Sequence, residues 1–121
     1  MFSCDLYLKV FEHHVYGRNI ANGRSVELRP RSPYVHPRAL VGTFSEADAV
    51  VTAVVKQIKG PTFFKTIRIL IQPMAMCEGG CTQVESRVLR ELALGAGAAK
   101  ALVWTGSVLD DQSVRAKLEE L

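Results

Sequence analysis

The sequence predicts one α/β domain over residues 1–121, built on a mixed five-stranded sheet in the strand order 3-2-1-4-5. Three observations lead there. The first thirty residues break into short strand-like runs around tight turns, the pattern of an antiparallel meander. From Ser45 onward, apolar residues at helical spacing alternate with short apolar runs. The element order is therefore βββαβαβα, and each later helix joins two strands that must lie parallel through a right-handed crossover.

Each element has its own signal. Asp5–Phe11 and Val15–Ile20 read as the first two strands, reversing near Glu12 and His13. Asn22-Gly23 marks the next hairpin, because both residues tolerate positive φ. Arg24–Arg29 returns as the third strand, and Pro30, Pro33 and Pro37 end it in an extended linker. Ser45 with Asp48 has capping-box spacing, and Ala47, Val50, Val51, Val54, Val55 and Ile58 recur on one helical face. So many β-branched residues disfavour an isolated helix, so burial must hold this one. Gly60-Pro61 stops it. Thr66–Ile71 reads as a central strand. Thr82 and Glu85 form a cleaner capping box before Val84, Val88, Leu89 and Leu92, and Gly95 and Gly97 end that helix. Lys100–Trp104 is the last strand. Asp110 or Asp111 caps a final helix with Val114, Leu118 and Leu121 on one stripe. The whole is a ribonuclease-H-like arrangement.

Composition narrows the function. Hydrophobic residues make up 48% and charged residues 22%, which excludes a disordered chain. No apolar run approaches the ~20 residues of a membrane-spanning helix. MFSCDLYLK carries Asp5 and no apolar core, so it does not read as a secretory leader, and a cytoplasmic location is expected. Three cysteines there are expected as reduced thiols. The net charge of +3 arises mainly from Arg18, Arg24, Arg29, Arg31 and Arg38. Without a basic run or interleaved aromatics, nucleic acid is not the expected partner, and neither is a membrane.

The stretch MCEGGCTQVE, Met76–Glu85, concentrates the candidate chemistry in Cys77, Glu78 and Cys81. As a zinc site it needs a second ligand pair from Cys4, His13, His14 or His36, and adjacent strand histidines point to opposite faces. As a redox pair, Cys77 and Cys81 gain from a nearby helix N-terminus, which lowers a thiol pKa. An anion at the Gly79-Gly80 turn would meet the like charge of Glu78. The simplest reading is a strand-to-helix turn, which accounts for every residue but Glu78. Asp5 and Glu12 as paired nuclease carboxylates are separated by Lys9 and lack a third acid on the TIRILI strand.

Three segments carry a family resemblance. MFSCDL, HPRALVGTFSEADAVVTAVVKQI and IRILIQPMAMCEGGCTQVESRVLRELALGAGAAKALVW resemble the first subdomain of MreB, the bacterial actin homologue, over most of residues 1–105. In size and phrasing the chain also resembles the YjaA-like stress response family. The resemblance implies an actin-like fold. It also implies a first phosphate loop, where an acid organises the metal and glycine and threonine approach the phosphates. The matching residues here are Lys9, Phe11 and Glu12, and the second lobe has no counterpart. The expectation is thus a non-enzymatic, stress-associated interaction module with no cofactor and no metal, acting on an unknown protein partner. The alternatives are a nucleotide-binding remnant or a thiol redox sensor using Cys77 and Cys81. A homodimer is also expected, through the KALVW edge at Leu102 and Trp104 or through the last helix.

Overall fold

A computed structural model describes residues 2–35, 40–61, 65–75 and 81–121. Its elements are β1 (Phe2–Val10), β2 (Val15–Asn19), β3 (Ser25–Leu28), α1 (Phe44–Ile58), β4 (Lys65–Pro73), α2 (Gln83–Gly95), β5 (Lys100–Val103) and α3 (Asp111–Glu119). The strands form one sheet in the order β3-β2-β1-β4-β5. β1 pairs antiparallel with β2, and β2 with β3. β4 runs parallel to both β1 and β5. Fold class and strand order are those the sequence predicts.

Side chains alternate across a strand, so β1 divides its residues between two unlike faces. Cys4, Leu6, Leu8 and Val10 join Ile67, Ile69 and Ile71 of β4 beneath α1 and α2 in the main core. Every valine predicted on the apolar stripe of α1 is buried there, which is how a β-branched helix is held. On the opposite face α3 lays Val114 and Leu118 over Tyr7, Ile20 and Leu70. Arg68 of β4 reaches Asp5 of β1 on this face by two hydrogen bonds, of 2.7 and 2.8 Å.

Several boundaries differ from the sequence reading. β1 and β4 are longer, because each pairs with the other along its whole length, from Phe2↔Lys65 to Val10↔Pro73. Phe11, His13 and His14 lie in the turn and not in a strand. Arg24 and Arg29 flank β3, and Trp104 lies beyond β5. α1 begins at Phe44 with Thr43 as its N-cap, so Ser45 falls inside the first turn and forms no capping box with Asp48. Val84 and Leu121, expected on apolar stripes, are exposed.

The second capping box forms as expected: Glu85 N–H donates to Thr82 Oγ1 at 3.1 Å, and Thr82 N–H to Glu85 Oε1 at 3.0 Å. Thr82→Ala removes the side-chain half of that exchange. It is expected to lower stability by about 1 kcal/mol, read from the urea midpoint at unchanged slope.

Candidate functional site

The turn from β1 to β2 is the position the resemblance assigns to a phosphate loop, and its geometry is closed. Phe11 N–H donates to His14 O at 2.9 Å, which tightens the reversal. The Phe11 and His14 rings stack with centroids 4.3 Å apart and planes 14° from parallel. His14 Nε2 lies 3.1 Å from Glu27 Oε1 on β3. From beneath, the fully buried Tyr34 brings its hydroxyl to the carbonyls of Phe11 and, at 3.0 Å, His14. Burial pushes this phenol up to about 12. The stacked rings cover the turn, the Phe11 N–H that a phosphate could use is spent on His14 O, and the Tyr34 hydroxyl pins the two carbonyls in place.

Lys9 stands on the neighbouring face, where the resemblance expects a metal-organising acid. Its ammonium lies 4.5 Å from the Tyr16 ring centroid and 5.6 Å from that of Tyr7. These residues and Arg18 line an open recess of about 560 Å³ that ends at Leu109, Asp110 and Asp111. Arg18 bridges to Asp111 by two 2.9 Å hydrogen bonds, which lower the Asp111 carboxyl and raise the guanidinium. The Tyr7 hydroxyl donates to the buried Gln72 Oε1 and accepts from Leu109 N–H at 3.2 Å, and burial raises its pKa. Gln72 Nε2 in turn donates to Gly106 O at 2.9 Å. Both carboxylates of the recess are engaged, Asp111 with the Arg18 guanidinium and Asp110 with Ser113 N–H at 2.8 Å.

The other candidates are dispersed. Cys77, Glu78 and the Gly79-Gly80 turn lie outside the described residues, as do His36, Phe63 and Phe64. Cys81 is half-buried against the main core beside the start of α2. Cys4 is buried at the far side of the sheet's core, where Asn19 Nδ2 approaches its sulfur at 3.8 Å. Among the described residues no three of His, Cys, Asp and Glu gather where they could hold a metal. Asp5 is bound by Arg68 and does not meet Glu12. No helix among the described residues is long and apolar enough to cross a membrane.

Leu102 and Trp104 occupy different settings. Leu102 lies within β5, half-buried at the sheet edge. Trp104 turns its backbone N–H inward to Ile71 O at 3.0 Å, donates its indole N–H to Ser107 O at 2.9 Å, and carries Lys117 Nζ 3.9 Å above its ring. Sequence reasoning passed over Tyr34, Gln72 and the Asp5–Arg68 pair. Tyr34 follows a proline in a segment read as linker, so no periodicity marks it. An arginine inside an apolar central strand is the one signal that pointed to a buried partner.

No protein-family model matches the chain. It is similar to "Uncharacterized protein YjaA" of Escherichia coli (strain K12), with 26% identity over 125 residues, 95% of this chain and 97% of that protein. Its structure is similar to that of a non-polymerising MamK mutant bound to AMPPNP. The TM-score is 0.61 at 16% identity, over 86% of this chain and 41% of the MamK chain. That likeness shows the fold, which is actin-like, and the chain spans about two fifths of the MamK length.

Proposed function

We propose that this chain is a non-enzymatic interaction module on an actin-like fold, one that binds and does not hydrolyse. The closed β1–β2 turn carries the reading. Phe11 and His14 stack where a phosphate loop must be open, the Phe11 N–H is spent on His14 O, and the Tyr34 hydroxyl ties the turn down from beneath. Lys9 supports it, since a cation at the position of a metal-organising acid repels the metal that phosphate chemistry requires. The resemblance to the YjaA-like family extends the reading to a stress-associated role. The reading places the chain in the cytoplasm, where its three cysteines would stay reduced.

Titration calorimetry with Mg-ATP and with AMPPNP tests the central point. No binding tighter than millimolar is expected, equivalent to about −4 kcal/mol. A micromolar constant that Lys9→Ala abolishes overturns the proposal in favour of a nucleotide-binding remnant.

A further inference from the structure

We propose that the module's partner is a second copy of this chain, joined edge to edge along β5 about a two-fold axis. The proposal rests on the binding role argued above and names its partner. The argument begins with the backbone. β5 borders only β4. At its two ends Ala99 N–H donates to Ile67 O at 2.8 Å and Trp104 N–H to Ile71 O at 3.0 Å. Trp104 N–H on Ile71 O, with Ile69 opposite Ala101 and Ile71 opposite Val103, turns Leu102 toward β4 and leaves the N–H and C=O of Ala101 and Val103 pointing away from it. The opposite edge, β3, is guarded by the exposed Arg24, Glu27 and Arg29 at and beside it, whereas β5 reads KALV with Lys100 as its one charge. An unguarded edge of this kind is a template for another strand.

The surroundings fit a strand on both faces. Between β5 and α2 runs a groove of about 790 Å³, walled by Leu94, Leu102, Val103 and Leu121, with Arg87, Arg90 and Glu91 among its lining residues. On the other face a recess of about 300 Å³ lies among Leu102, Trp104, Lys117, Glu120 and Leu121. Leu102 and Leu121 are common to both, so an incoming strand meets apolar wall above and below. The charges identify the occupant. Arg87 and Arg90 lie beside Glu91, and Lys117 beside Glu120, and among the described residues none of the five forms an ion pair within 4.0 Å. A groove for a foreign acidic or basic segment would carry one sign. A two-fold interface sets a patch against itself and needs both signs within it. With Leu102 on the axis, Ala101 of each copy faces Val103 of the other, and each such pair exchanges two backbone hydrogen bonds.

Sedimentation velocity on the full chain over a concentration series, with amide exchange at Ala101 and Val103, tests the proposal. The expected mass at high concentration is twice 13.3 kDa, and protection of those two amides rises with the dimer. Val103→Pro removes an outward N–H that the chain's own sheet does not use; it is expected to be monomeric with an unchanged circular dichroism spectrum. Leu102→Lys leaves the outward N–H groups in place, puts a charge between the apolar walls, and is expected to weaken the dimer at least about tenfold; it decides the matter if the proline variant does not fold. A monomer at every concentration overturns the proposal. So does a dimer whose Ala101 and Val103 amides stay unprotected, or one that Leu102→Lys leaves intact. A monomer that binds no nucleotide rejects this partner and leaves the binding role standing, whereas micromolar Mg-ATP affinity rejects that role whatever the mass.

Discussion

Arg68→Met is expected to destabilise the protein by about 3–5 kcal/mol, a large part of the ~5–15 kcal/mol that holds a typical domain together. Asp5 is 4% exposed and its carboxylate is bound at both oxygens by the Arg68 guanidinium. The same guanidinium donates to Leu118 O at 3.3 Å, so it ties α3 to the two central strands. Methionine fills most of the volume but leaves a buried carboxylate without its counter-charge, and that uncompensated charge sets the magnitude. The double variant Asp5→Leu/Arg68→Met removes both charges and is expected to recover most of the loss. Urea unfolding of the two single variants and the double variant closes the cycle. If Arg68→Met loses less than about 1 kcal/mol, the pair is solvated in solution and this account fails.

Tyr34 is the second large effect, and it depends on pH. The folded phenol ionises near 12 because it is fully buried, while in the unfolded chain it ionises near 10. Between those values the unfolded chain releases its proton and the folded chain keeps it. The stabilising difference, about 3 kcal/mol, is fully present below pH ~10 and is lost as pH rises toward ~12. Alkaline unfolding is expected to fall in that window. Tyr34→Phe should flatten stability there while losing about 1–3 kcal/mol at neutral pH, since the Phe11 and His14 carbonyls lose their donor. Tyr34→Ala should lose about 3–5 kcal/mol at neutral pH, because it also leaves a cavity beneath the β1–β2 turn. Equilibrium unfolding at pH 7, 10 and 11.5, values chosen from that window, separates the two terms. A Tyr34→Phe profile parallel to that of the parent protein would show that another group governs the alkaline transition.

The sequence by itself determined the element order, the strand order and the α2 cap, and narrowed the α3 cap to Asp110 or Asp111, for local reasons. Thr82 with Glu85, and Asp110 before Ser113, close short loops whose geometry depends on a few neighbouring residues. Asn22-Gly23 formed its turn because Gly23 takes φ +75, and TIRILI lay centrally because both its faces are covered. The identities of Lys9, Phe11 and Glu12, where the resemblance expects a phosphate loop, were legible as well.

Tertiary structure alone decided how that position is closed. Tyr34 lies 23 residues from Phe11, and Arg68 lies 63 from Asp5, and nothing in local spacing announces contacts at such separations. Gly17 is the plainest case. As a residue within β2 it reads as a weak point in the strand, yet a Cβ there would come 2.3 Å from Val54 Cγ1 and 2.9 Å from Leu8 Cδ2. The glycine is where α1 comes down onto the sheet. Thr43 in place of Ser45 as N-cap, the outward turn of Val84, and the inward N–H of Trp104 have the same origin. Each is set by where a helix or strand meets its neighbour, a constraint that propensity and periodicity along the chain do not contain.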